Sequence, residues 1–160
     1  MNRLILAALT IGVLVVGGNA SAAPPQGVHG TGIQRFNVFG FEGSFRLSLS
    51  ATQTPAGDVV GHTNVLVEGA PGIPFGSIQA TPIYFEMLNE QTACVVSNIT
   101  RLDGWPSTPV RTTTTIVDVP GGPDRFGSSN SFTMAIDPAD LCQQGTAPNV
   151  ITDGNFTIAP

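Results

Sequence analysis

Two histidines, two cysteines, a late group of aspartates, and one tryptophan with one tyrosine are the residues of this 160-residue chain that could carry chemistry. His62 could act as a positioned base if a carboxylate lay within hydrogen-bond reach, because imidazole changes charge near neutral pH. In an extended segment 58–67 it shares a face with Val60, Asn64 and Leu66, where its ordinary role is that of a half-exposed strand residue. His29 falls in a segment expected to be mobile. Asp118, Asp124, Asp137, Asp140 and Asp153 supply hard oxygen ligands of the kind calcium takes six to eight at a time. The Gly-rich loop between Asp118 and Asp124 makes those two the candidate calcium pair. Against this, Asp beside Gly or Pro is ordinary turn chemistry, and Asp137 fits a helix cap. Trp105, in the turn Gly104-Trp105-Pro106, could stack on a sugar or a partner, or could cap an open end of the core. Tyr84 lies opposite the expected core face of its segment. Trp105, Tyr84 and His62 are therefore the candidate binding residues.

Several chemistries are closed. All six basic residues are Arg, so Schiff-base lysine, phosphate-loop lysine and Lys-rich nucleic-acid patches are excluded. No Gly-x-Ser-x-Gly elbow, His-Glu-x-x-His or dinucleotide fingerprint occurs. A net charge of −5 disfavours nucleic acid and anionic lipid as partners. The run Thr112 to Thr115 reads as a β-former filling both faces of one strand, since a hydroxyl array would need the row repeated on neighbouring strands.

The first 22 residues read as a secretory signal: Arg3, the apolar run Leu4 to Val16, then the small-residue motif Ala20-Ser21-Ala22. That run is too short to span a bilayer, so no stable membrane anchor is expected once the signal is removed. Cleavage leaves a flexible leader at 23–29 and a single β-domain at 30–160. In an exported chain two cysteines point to one disulfide, Cys94–Cys142. A catalytic thiol would want a neighbouring cation, which neither cysteine has in sequence.

The elements that must position these residues are strands. From Ser44 to Ala51 the chain alternates, with Phe45, Leu47, Leu49 and Ala51 on one face and Ser44, Arg46, Ser48 and Ser50 on the other. Further strands are expected at 32–39, 58–67, 78–88, 92–100, 110–119, 126–136 and 150–158. In the fourth of these eight, Ile83, Phe85 and Met87 are expected to face inward, and the nine Phe read mostly as core, Phe132 among them. One short helix is expected near 138–144, with Asp137 as cap, Pro138 at the first turn and Gly145 as the stop. About eight short strands with turns between them predict an all-β antiparallel sandwich or barrel, preceded by the signal-peptide helix.

Several short stretches resemble a group of small exported bacterial β-proteins of unknown function. They are Gly30-Thr31-Gly32, Gly43 to Ala51, Gly57 to His62, Ala93 to Ile99, Val119 to Phe126 and Gly154-Asn155-Phe156-Thr157-Ile158. In that group the first Cys sits one strand earlier, near Ile83 or Tyr84 here. The resemblance implies export and an all-β fold, and carries no activity. Two functions are then in view. One is a secreted, non-enzymatic β-domain that binds an extracellular partner or associates with itself, needing no cofactor unless calcium binds. The alternative is a small β-barrel ligand carrier or enzyme, which requires a cavity of roughly 300 Å³ or more containing His62 and a carboxylate.

Overall fold

The computed structural model describes residues 25–38, 40–69, 75–105 and 107–160; the expected signal segment lies outside them. Nine strands form one antiparallel sheet. They are β1 (Gln26–Val38), β2 (Phe41–Gln53), β3 (Val59–Glu68), β4 (Gly76–Asn89), β5 (Thr92–Asp103), β6 (Arg111–Val117), β7 (Arg125–Ser131), β8 (Asn149–Val150) and β9 (Asp153–Ala159). Their spatial order is β8-β7-β6-β5-β4-β3-β2-β1-β9. Strands β1 to β7 are a simple meander.

The last two strands decide between sandwich and barrel. Only Ile151 and Thr152 separate β8, which pairs with β7, from β9, which pairs with β1. Ile151 donates its N–H to the Asp124 carbonyl at 2.9 Å, and the next residue, Thr152, donates to the Ile33 carbonyl at 2.7 Å. Adjacent residues thus bond to opposite edges of the meander, and the sheet closes as a barrel. The rings of Phe45 on β2 and Phe126 on β7 stack across its interior with centroids 5.2 Å apart. Around them pack Leu47, Leu49, Val65, Phe85, Val95 and Phe156, none of these six more than 3% exposed. Phe156 needs Gly32 opposite it, since a Cβ there would lie 2.8 Å from its ring and from Ile151.

Four sequence expectations are corrected. Strand β1 starts at Gln26, inside the expected leader, because β9 gives Gly27 to Ile33 a partner. Ile83 is 36% exposed: Pro82 has no N–H to continue the ladder, and the register slips between Pro82 and Tyr84. Ala80 and Pro82 therefore face inward before that bulge, and Phe85 after it. Strand β7 stops at Ser131, whose hydroxyl accepts from the Thr133 N–H at 3.4 Å and turns the chain, leaving Phe132 63% exposed. Finally, Phe75 is also exposed, so the Phe residues are less uniformly core than expected.

The helix α1 (Pro138–Gln143) forms as expected, with Asp137 accepting from the Ala139 N–H at 2.9 Å. It holds Cys142 against the outward-facing Cys94, and the two form a disulfide. Closing a 48-residue separation contributes about 4 kcal/mol in the chain-entropy account.

Beyond the two β8 pairs, the seam is held by carboxylates. Asp124, 3% exposed, accepts the Val119 N–H at 3.0 Å on one oxygen and the buried Phe156 N–H at 2.6 Å on the other. Asp118 accepts the Ile158 N–H at 3.4 Å. Replacing Asp124 by Ala orphans two main-chain donors and should lower stability by about 2–4 kcal/mol in denaturant unfolding. Asp124→Asn, which keeps an acceptor oxygen, should lose less; an Ala variant within about 0.5 kcal/mol of the parent would refute the seam role.

Candidate functional site

The outer wall of the barrel has two unlike halves. Over β4, β5 and β6 it is covered. Cys94 and Val96 point outward there and are sealed by Cys142, Leu141 and Tyr84. The segment after α1 crosses β6 and β7, so Thr113 and Thr115 are also buried, 3% exposed each, although they face out. A hollow of only about 100 Å³ remains beneath it.

The other half, β9, β1, β2, β3 and the start of β4, is bare. Alternation puts small polar side chains outward, and the strand register lines them up. One row crosses five strands as Asn155, Thr31, Ser48, Asn64 and Gln79. A second runs Thr157, His29, Ser50, His62. No residue of either row carries a carboxylate, lysine or arginine. Between Ser48, Asn64, Gln79 and Arg46 lies a shallow hollow of about 300 Å³. A larger hollow, about 470 Å³, is also on the surface, at the far end of β1 and β2 beside Arg35, Phe36, Glu42 and Glu68.

The residues singled out from sequence are scattered by this architecture. His62 is exposed on the outer wall, with Thr63 as its inward neighbour, so it lines no interior cavity. Asp118 and Asp124, the candidate calcium pair, direct their oxygens to main-chain N–H groups of the seam; among the described residues no three His, Cys, Asp or Glu side chains converge. Trp105 is half-buried and packs against the core, its indole close over Gly76, where a Cβ would come within 2.8 Å of Nε1. It caps the barrel end and does not project from it. Tyr84 sits at the rim of the covered half, its hydroxyl donating to Glu86 Oε2 at 3.2 Å. Burial first, then the Glu86 carboxylate as charge and hydrogen-bond acceptor, and then Asp137, raise the Tyr84 pKa above its ordinary value.

The row residues Thr31, Ser48, Asn64 and Gln79 escaped sequence reasoning. The polar side of the strand 44–51 was visible as alternation. What aligned it with Asn64 and Gln79 is register, which a single strand does not encode.

The sole tyrosine allows a clean optical titration. Phenol absorbance should give a midpoint above 10.0, falling towards it in Glu86→Gln, whereas an unchanged midpoint in that variant would remove Glu86 as a cause. Because the unfolded phenol ionises first, any contribution to stability is intact below the unfolded pKa and is lost as pH rises through the folded one. Trp105→Ala should cost about 2–3 kcal/mol, less than a fully buried aromatic, in denaturant unfolding followed by circular dichroism; a neutral result would free Trp105 from its capping role. Comparison with protein families, curated proteins and solved structures finds no match to this chain.

Proposed function

We propose that the protein is a secreted, non-enzymatic β-domain that works by binding outside the cell, and that its bare outer face is the surface it uses. The observation that carries this reading is the row Asn155, Thr31, Ser48, Asn64 and Gln79, five neutral hydrogen-bonding side chains in register across five strands. Amides and hydroxyls set in a row on a rigid sheet match partners that present repeated neutral donors and acceptors. The disulfide supports export, since such bonds persist in oxidising compartments. Among the described residues no helix is long and apolar enough to cross a membrane. Against the carrier or enzyme reading stand the filled interior and the outward position of His62.

The test is retention. Asn64→Glu combined with Gln79→Glu puts two charges at one end of the row at exposed sites, where substitutions usually change stability by less than about 0.5 kcal/mol. Retention of the mature protein on its native extracellular material should fall at least about tenfold, or about 1.4 kcal/mol. Retention equal to the parent, with the fold intact by circular dichroism, would remove this face from the binding site.

A further inference from the structure

The chain contains two histidines, and the fold brings both to one row of the bare face. His29 on β1 pairs with Ser50 on β2, and Ser50 pairs on its other side with His62 on β3. The imidazoles therefore flank one serine, on strands whose Cα atoms are about 10 Å apart at the ordinary sheet spacing. Neither ring is covered, since both residues are exposed.

His29 does not swing freely. Its Nδ1 is hydrogen-bonded to Ser50 Oγ at 3.0 Å, and its Nε2 to Thr52 Oγ1 at 3.2 Å. Both partners belong to β2, so the ring leans over that strand, towards His62. Between the same strands Gly61, at φ +144°, permits a close approach: a Cβ there would overlap the Ser50 carbonyl oxygen, so no other residue brings the β3 backbone this near beside His62.

We propose that His29 and His62 bind one divalent transition-metal ion of the zinc class over Ser50, with the serine oxygen beside it and water completing the shell. Imidazole nitrogens are the ligands such ions favour, at about 2.0–2.1 Å, and two imidazoles on either side of one intervening strand can share an ion. The ion displaces one of the hydroxyl partners that now hold His29. With two protein nitrogens the site keeps open positions, unlike a closed structural zinc site. It differs from the calcium pair expected at Asp118 and Asp124 in ligand type, face and metal. It also stands apart from the neutral row: the histidines can bind metal whether or not Asn64 and Gln79 bind a partner.

The experiment is zinc titration of the untagged, disulfide-intact mature protein by calorimetry, with nickel as a second probe. One ion per chain with micromolar affinity is expected, weakened at least about tenfold in His29→Gln and in His62→Gln, or about 1.4 kcal/mol each. Ser50→Ala should weaken binding by a smaller factor. Circular dichroism checks that these exposed variants keep the fold. Absence of saturable binding up to about 1 mM zinc would overturn the proposal, as would full affinity in either histidine variant. One ion per two chains would also overturn it, by placing the histidines on separate molecules.

Discussion

Everything in this molecule depends on how the two edges of a seven-strand meander are joined. An open sheet leaves a row of main-chain donors and acceptors at each edge, and a core facing only one way. Here an eleven-residue run at the chain's end, Asn149 to Ala159, serves both edges in turn. Its first residues bond to β7 and its last to β1, so no full-length strand lies between them. The resulting deficit of backbone partners is met by Asp124, whose two oxygens accept one N–H from the loop before β7 and one from β9. A carboxylate suits this place because it accepts without donating, and its charge strengthens each bond relative to a neutral carbonyl. Buried beside Phe156, Asp124 has both of its oxygens hydrogen-bonded, as a buried polar group requires.

Closure then explains why the two halves of the outer wall differ. A closed barrel has one interior, filled by Phe45, Phe126 and the aliphatics around them. Any further apolar outward residue needs a separate cover. Val96 and Cys94 have one, the arm of α1 clamped by the disulfide. The same arm accounts for the run Thr112 to Thr115, which is buried on both faces. Thr is β-branched enough to fill such a strand; the Thr112 hydroxyl bonds to Ser128 at 3.1 Å, while the buried Thr114 hydroxyl has no hydrogen-bond partner among the described residues. In the interior Thr63 and Ser97 pair with each other at 2.9 Å. The bare half has no arm, and most of its outward positions are polar, with Val60, 53% exposed, and Leu66 as apolar exceptions.

How far the sequence disclosed this can be judged element by element. Phe45 to Ala51 was legible because one face is core and the other solvent, the condition under which alternation is unambiguous. The helix was legible from its cap, and the disulfide from an even count of two. Strand β1 was not: its residues 26–33 are glycine-rich and polar, and the β9 partner that orders them lies at least 120 positions along the chain. Ile83 misled because a bulge reverses alternation without changing composition. Asp124 read as a turn residue, which it is by position, while its role depends on β9 arriving beside it. The histidines were read singly for the same reason, since pairing across Ser50 exists only once β1, β2 and β3 are in register.

The scarcity of charge takes its meaning from this geometry. Charged side chains commonly protect exposed edges from pairing with other chains. A barrel has less edge to protect, and among the described residues the stretches with a single strand partner are short: Gly127 to Ser131 of β7, Gln34 to Val38 of β1 and the outer side of the seven-residue β9. On the β7 stretch the edge ends in the turn at Ser131. On the bare face neutrality acts differently. Rows of amides and hydroxyls exert little long-range field, so contacts made through them are short-ranged and weakly sensitive to salt, in contrast to charge-steered docking. Arg101 with Asp103 at 2.8 Å, the one exposed ion pair among the described residues, neutralises itself. A divalent ion held between His29 and His62 would then be the strongest local charge on that face, and a partner bearing an oxygen or nitrogen donor could complete its open positions.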